Sequence, residues 1–209
     1  MTAMRHSKAA AVALLTLLIA GCSGAVRQPK YYTLALAPQM NSAQAPSSDP
    51  VTLAVRQFET PAYLRQGRIV YRVHPEQVGF YEYHRWAVDP GAMVTTALVN
   101  SLQSDRLISY VGPYASPHSA NYLVTGHLDR LDEIDYGGGV KVEATVSAEL
   151  INLRTGAVTW SGHATHTSNV DHRDVYSVVS QMGPAVDSCL NQLVSGIEQS
   201  VYGRDSAAR

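Results

Sequence analysis

Residues 140–153 read Val-Lys-Val-Glu-Ala-Thr-Val-Ser-Ala-Glu-Leu-Ile-Asn-Leu, and this stretch decides the fold. Up to Leu150 every second residue is apolar, and the residues between them are polar or charged. Successive side chains of a β-strand point to opposite faces of the sheet. The period of two therefore predicts a strand with one buried face and one solvated face.

Two further strands are predicted on either side of this one, over residues 122–131 and 158–167. The chain turns between the second and third strands at residues 152–156, where the sequence is Asn-Leu-Arg-Thr-Gly. Three glycines at 137–139 lack the Gly-Lys-Ser/Thr of a phosphate loop, so they are predicted to be a flexible hairpin connection. The second half of the chain is thus expected to be a three-stranded meander.

Two amphipathic helices accompany these strands. Asp89 and Pro90 form a helix start, with Asp as the cap and Pro in the first turn, and the helix is expected to end near Ser104. Residues 174–202 carry a long apolar stripe at helical spacing. Pro184 is expected to kink this second helix or to break it near its first turns.

The first half of the chain supplies the remaining strands. Residues 31–36 are a candidate strand, and a period-two pattern begins at Val51. Residues 68–73 and 78–83 are predicted to form a hairpin, and a short strand is expected at 108–111. Together the elements predict one α+β domain, in which a mixed, largely antiparallel sheet packs against two amphipathic helices.

The amino terminus is predicted to be a lipoprotein signal peptide, residues 1–21. Arg5 and Lys8 precede an apolar run, residues 9–20, that is too short to span a bilayer. The run ends in Ile19-Ala20-Gly21-Cys22, which resembles the sequence cut by lipoprotein signal peptidase. An ordinary secretory signal would not need this cysteine, so we favour the lipoprotein interpretation.

Cys22 is therefore the predicted site of lipid attachment. Two or three acyl chains hold a protein stably on a membrane, whereas one chain is marginal. Ser23 follows, and the sorting rule of many Gram-negative bacteria then predicts the periplasmic face of the outer membrane. Residues 22–30 form a short tether of about 30 Å at most, and residues 31–209 form the domain.

Composition excludes several classes of protein. The formal net charge of the chain is −1 and removal of Arg5 and Lys8 makes it more acidic, so no basic stripe predicts nucleic-acid binding. Cys189 is the only cysteine besides Cys22, which leaves the mature domain without an internal disulfide. No Gly-x-Ser-x-Gly occurs, and Cys189 lies on the apolar helical stripe, where cysteine usually serves packing.

Histidines and acidic residues are the candidate metal ligands of this chain. His163 and His166 lie three residues apart on a predicted strand and would point to opposite faces, which disfavours one shared ion even with His172 nearby. An acidic cluster precedes the glycines, at Asp129, Asp132, Glu133 and Asp135. Its spacing does not match an EF-hand, and we expect a solvated strand end entering a turn. No metal and no cofactor are predicted.

Basic and aromatic residues supply the candidate interface. The clustered arginines suit anionic head groups or an acidic partner, and equally suit a solvated sheet face: Arg65, Arg68, Arg72 and Arg85. The candidate partner-binding residues are Tyr63, Arg65, Arg85 and Trp86. Tyr63 and Trp86 are expected either to face a partner or to lie in the core.

Four stretches in this order resemble the ABC-type transport auxiliary lipoprotein family, which includes the paraquat-inducible protein C type. They are Tyr31-Tyr32-Thr33-Leu34, Phe58 to Arg72, Tyr83-His84-Arg85-Trp86-Ala87, and the 122–168 meander followed by the long helix. Gly91 departs from the family pattern, in which helix-favouring residues follow the Arg-Trp element.

The resemblance implies a non-enzymatic outer-membrane lipoprotein that partners an MCE transport system. In such a system a periplasmic MCE protein forms the conduit, and an inner-membrane permease and ATPase supply the energy for moving phospholipid or other hydrophobic compounds. The lipoprotein would act by docking, and the resemblance leaves a homo-oligomer open. Two other functions remain open: a periplasmic enzyme built on His and Asp, which needs acid and base groups converging in a pocket, and a purely structural envelope lipoprotein.

Overall fold

The computed structural model describes residues 27–37, 51–104, 108–116 and 120–202. The predicted signal peptide, Cys22 and Ser23 lie outside these ranges.

The described residues form eight strands and two long helices. The strands are β1 (Lys30–Tyr32), β2 (Val51–Val55), β3 (Arg68–His74), β4 (Gln77–Trp86), β5 (Ile108–Pro113), β6 (Tyr122–Ile134), β7 (Lys141–Asn152) and β8 (Val158–Asn169). The helices are α1 (Pro90–Gln103) and α2 (Val175–Tyr202), and a 3₁₀ turn covers Leu64–Gln66.

All eight strands belong to one open, mixed sheet, organised around the long strand β6. One edge of β6 pairs antiparallel with β7 along its whole length, and β8 extends the sheet beyond β7. The other edge receives two parallel strands in succession, β2 beside residues 122–124 and β3 beside residues 133–134. Strand β5 lies outside β2, and β4 and then β1 lie outside β3. The predicted α+β class with a mixed sheet and two packed helices is confirmed.

The buried apolar face predicted for β7 is confirmed, and on its other face only Thr145 is also buried, at 8% exposed. Its six apolar positions, Val140 to Leu150 in steps of two, are at most 5% exposed and face α2. The thiol of Cys189, on the buried stripe of α2, donates a hydrogen bond to the carbonyl of Ala144 at 3.5 Å. Burial raises the pKa of this thiol to about 11, so Cys189 stays a packed thiol and not a nucleophile.

Helix α1 begins where the sequence predicts. Asp89 Oδ1 accepts a hydrogen bond from the amide of Ala92 at 3.0 Å, and Pro90 occupies the first turn. The structure explains Gly91, because a Cβ there would lie 2.7 Å from the carbonyl oxygen of Phe58 and 2.9 Å from Cγ2 of Thr60. Glycine therefore lets the helix start pack directly on the chain that leaves β2.

Helix α2 runs through Pro184 without the predicted break. Pro184 is exposed, so water can reach the carbonyl that loses its helical donor. Neither helix of the described ranges is long and apolar enough to cross a membrane.

The candidate strand at 31–36 is mostly wrong, because only Lys30–Tyr32 pairs with the sheet. Residues 33–37, here called the strap, leave the sheet and run across the helices. The amide of Leu34 contacts Sδ of Met93 on α1 at 3.3 Å, and the amide of Ala37 donates to Asp187 on α2 at 3.0 Å. Gly183 lies directly under the carbonyl of Ala35, where a Cβ would clash.

Candidate interface at the base of the β3–β4 hairpin

The end of the β3–β4 hairpin opposite its turn brings the predicted interface residues to one corner. The 3₁₀ turn ends at Gly67, whose φ of 70° is left-handed, and the chain then enters β3. The amide of Trp86 donates to the carbonyl of Gly67 at 2.8 Å, and Arg68 lies opposite Arg85. We call residues 63–68 and 85–86 the hairpin base.

The two predicted arginines lie on the outside of this corner. Arg65 is exposed and donates a hydrogen bond from Nη1 to the carbonyl of Thr60 at 2.7 Å. Arg85 is half-buried and is paired in register with Tyr31 of β1, which is 62% exposed. The corner thus carries the exposed Arg65 on the 3₁₀ turn and the pair of Arg85 and Tyr31 on neighbouring strands, and Arg and Tyr are enriched at protein interfaces.

The sequence predicts that Trp86 and Tyr63 either face a partner or lie in the core, and the outcome differs between the two residues. Trp86 is 5% exposed and belongs to the core. Tyr63 is half-buried: its ring lies under the guanidinium of Arg72 at 5.6 Å, and its hydroxyl donates to the carbonyl of Asp129 at 3.3 Å. Trp86 therefore supports the corner from inside, whereas the edge of Tyr63 remains accessible.

A buried ion pair lies behind Tyr63 and corrects two sequence predictions. Asp132 is fully buried and contacts Nε of Arg72 at 2.5 Å. Arg72, 8% exposed, also donates to the carbonyl of Pro75 at 2.9 Å. Asp132 and Glu133 are thus not part of a solvated strand end, and Arg72 is not on a solvated face. Strand β6 continues to Ile134, and β3 and the chain before it cover this end of β6.

The rest of the acidic cluster does reach solvent. Asp129 is exposed and accepts a hydrogen bond from Ser147 at 2.7 Å, and the half-buried Asp135 pairs with Arg173 at 3.2 Å. Arg130 forms a short ion pair with Glu143 on β7. The predicted glycine turn follows, with positive φ at all three glycines, 137–139.

Burial raises the pKa of both inner carboxyls. For Asp132 desolvation outweighs the attraction of Arg72, and its Oδ1 has no hydrogen-bond partner among the described residues. For Glu133 desolvation again dominates, although the hydroxyl of Tyr81 donates to Oε2 at 2.8 Å. The same contact and burial raise the pKa of Tyr81. The network has a structural role, because each charged side chain contacts a side chain from a neighbouring strand.

Aromatic contacts link this network to strand β1. Tyr71 and Tyr81 have ring centroids 5.0 Å apart, and the ring of Tyr81 meets the edge of His84 at 5.7 Å. The hydroxyl of Tyr32 lies 2.8 Å from Nδ1 of His84. Burial, together with Lys30, lowers the pKa of His84, which favours the neutral ring. The first strand after the predicted tether is therefore fastened to the hairpin by side chains as well as by its backbone.

The histidines of β8 are arranged as the sequence predicts. His163 is opposite Ser147 on the open face of the sheet, and His166 is opposite Ala144 on the helix face. A polar cleft of about 390 Å³ on the open face is lined by residues that include His127, His163 and Glu149. Across the described ranges, no three His, Cys, Asp or Glu residues are placed to hold a metal ion.

Solved structures share this fold. A protein from Xanthomonas campestris matches with a TM-score of 0.71 at 17% identity, over 88% of this chain and 100% of that one. A hypothetical protein from Chlamydia trachomatis matches with a TM-score of 0.53 at 10% identity, over 74% of this chain and 99% of that one. No curated protein matches the chain.

The mixed sheet packed with two helices, which these solved structures share, defines the fold of this domain. The model of the ABC-type transport auxiliary lipoprotein component matches residues 32–194, and the chain belongs to this family. The family resemblance seen in the sequence is confirmed. The protein is thus a lipoprotein of a class that assists ABC transport.

Proposed function

We propose that this chain is the outer-membrane auxiliary lipoprotein of an MCE-type ABC transport system that moves phospholipid or other hydrophobic compounds across the envelope. It acts by docking and not by catalysis, and it uses no cofactor. Membership of the transport auxiliary family carries the proposal. The partners are a periplasmic MCE protein and, through it, the inner-membrane permease and ATPase.

The anchor gives docking its physical basis. We propose that residues 1–21 are removed, that Cys22 takes the acyl chains and that Ser23 directs the protein to the outer membrane. Because Lys30 already pairs with His84 in the sheet, the tether before it spans about 30 Å at most. A domain held this close to its membrane gives the conduit a fixed docking point on that side.

The hairpin base is the docking surface that we propose. The exposed Arg65 lies on the 3₁₀ turn and the half-buried Arg85 at the end of β4, and the backbone bond from Trp86 to Gly67 joins these two segments. Tyr, Trp and Arg dominate the energetics of protein interfaces. Trp86 contributes indirectly, since its buried ring holds the end of β4 in place.

Copurification with the cognate MCE protein tests this surface. The double variant Arg65→Ala, Arg85→Ala should keep the wild-type melting temperature and lose roughly 2 kcal/mol of binding, about 30-fold in Kd. Arg154→Ala, in the exposed β7–β8 turn, is the matched control and should bind normally. Equal binding by the double variant and the control would show that the MCE protein binds another surface of the domain. Failure of the wild-type lipidated protein to bind any MCE protein would reject the transport role and favour a structural lipoprotein.

The anchor is tested separately. Cys22→Ala should abolish incorporation of radiolabelled palmitate, because the other cysteine, Cys189, is buried in the core. Ser23→Asp should shift the protein from outer-membrane to inner-membrane fractions on a density gradient. Equal palmitate incorporation by Cys22→Ala, or an unchanged gradient profile for Ser23→Asp, would remove the corresponding part of the proposal.

A further inference from the structure

An apolar groove lies between the strap and helix α1. Its volume is about 440 Å³, within the range of small-molecule sites. The residues that line it are Thr33, Leu34, Leu36, Ala37, Val88, Ala92, Met93, Thr96, Ala97 and Asn100. None of them is charged, and Val88 is 49% exposed.

The walls of the groove are fixed by contacts already described. The strap is held on one side by Met93 and on the other by Asp187, and Gly183 lets its backbone lie close against α2. The Asp89 cap fixes the first turn of α1. The groove is therefore formed before any ligand arrives, which limits the ordering cost of binding.

We propose that this groove binds a hydrocarbon chain of a glycerophospholipid drawn from the membrane that holds the lipid anchor. The strap begins at Thr33, directly after β1, so the groove lies within about 40 Å of Cys22 along an extended chain. That the lipid comes from the membrane rests on the proposed function, whereas the preference of the groove for a hydrocarbon rests on its lining alone.

The lining favours a hydrocarbon over a protein segment. A peptide in the groove would bring backbone N–H and C=O groups that need hydrogen-bond partners, and burying them without partners is costly. The hydroxyl of Thr96 already donates to the carbonyl of Ala92 at 2.9 Å. An acyl chain needs no such partners, and its burial is favourable in proportion to the apolar area that it removes from water. Thr33 and Asn100 are exposed polar residues of the same lining and are available to the ester and head group.

Photocrosslinking in the native envelope tests the inference on the full-length lipidated protein. Placed at Val88, p-benzoylphenylalanine should yield a crosslink to phospholipid after irradiation, detected by mass spectrometry of the purified protein. Tyr31, exposed and closer to the anchor in sequence, reports simple proximity to the membrane. Tyr110, exposed on β5, reports nonspecific labelling. The Val88 position should give several-fold more phospholipid adduct than either control.

A variant that places a charged side chain at the groove is the second part of the test. Thr96→Lys should abolish most of the adduct from Val88, since an ammonium group in the groove opposes a hydrocarbon chain and lysine favours the helix. Ser195→Lys, at an exposed position of α2 outside the groove, is the control and should leave the adduct unchanged. Both variants should still bind the MCE protein, which separates this test from that of the dock.

Three outcomes would overturn the inference. They are equal adducts at Val88 and Tyr31, an adduct that Thr96→Lys does not diminish, and a Val88 crosslink to a protein or to the acyl chains on Cys22 instead of phospholipid. A lost MCE partner with the Val88 adduct intact would overturn the proposed function alone.

Discussion

Strands β7 and β3 lie one strand apart in the same sheet, yet only for β7 does the sequence pattern predict which side chains are buried. On β7, apolar and polar residues alternate and burial follows that alternation, because α2 covers one face. On β3, the buried residues are Ile69, Val70 and Arg72, which include both faces of the strand and a charge. The chain through Leu64 covers the second face of β3, and Asp132 from β6 meets Arg72 there.

The difference shows that an alternation of apolar and polar residues predicts which side chains are buried only where a single face of the strand is covered. Where a second segment packs on the other face, polar residues are buried and must be paired. The partners, Arg72 and Asp132, are 60 residues apart, so no local pattern relates them. The following variants test this comparison, from the largest expected effect to the smallest.

Removal of one partner of the buried pair should have the largest effect. Asp132→Ala leaves Arg72 buried without its counter-charge and should cost about 3–5 kcal/mol in the free energy of unfolding, measured by urea denaturation. The double variant Arg72→Met, Asp132→Leu should recover most of this loss, because it leaves no buried charge between those two positions. A double variant as unstable as Asp132→Ala would show that the pair contributes more than charge balance.

Strand β7 should respond only on its buried face. Leu150→Ala should cost about 2–5 kcal/mol, because it leaves a cavity under α2. Glu149→Ala, the neighbouring exposed residue, should stay within about 0.5 kcal/mol of wild type in the same denaturation experiment. Similar losses at the two positions would contradict the one-sided burial of this strand.

Gly183 tests the strap. A methyl group there would meet the carbonyl of Ala35, so Gly183→Ala should cost about 1–3 kcal/mol despite the better helix propensity of alanine. The control is Gly156→Ala, which meets no neighbour but has a φ of 72° and should be destabilising through backbone strain alone. Thermal unfolding together with exchange of the Ala37 amide would locate the effect: the amide should lose protection only in Gly183→Ala.

Glu133 predicts a smaller, pH-dependent effect. Because burial raises its pKa above the usual value near 4.5, the native state binds the proton more tightly than the unfolded state. That stabilisation is fully present below the unfolded pKa and is lost as the pH rises through the folded pKa. Glu133→Gln keeps an acceptor for Tyr81 and removes the titration. Its stability relative to wild type should therefore be higher at pH 7 than at pH 4, in urea titrations at each pH.

Much of the fold was accessible from local patterns. The β6–β7–β8 meander, the β3–β4 hairpin and the Asp89 start of α1 were predicted within a few residues, because each depends on period, turn chemistry or capping nearby in sequence. The sequence pattern predicts a strand where the strap lies, and this prediction is wrong because the apolar residues of the strap pack on helices instead of on the sheet. The acidic end of β6 was mistaken for a solvated turn, because its cover comes from β3 and the segment before it.

The candidate sites divide in the same way. The sequence by itself determines the lipoprotein family, because the family's motifs lie in short, contiguous segments, and it predicts lipidation at Cys22 and an interface at Arg65 and Arg85, which stay predictions. Only the tertiary structure decided that Trp86 is core, that Arg72 and Asp132 form a buried pair, and that the strap and α1 enclose an apolar groove. These depend on contacts between segments far apart in the chain, and such contacts are set by packing rather than by local propensity.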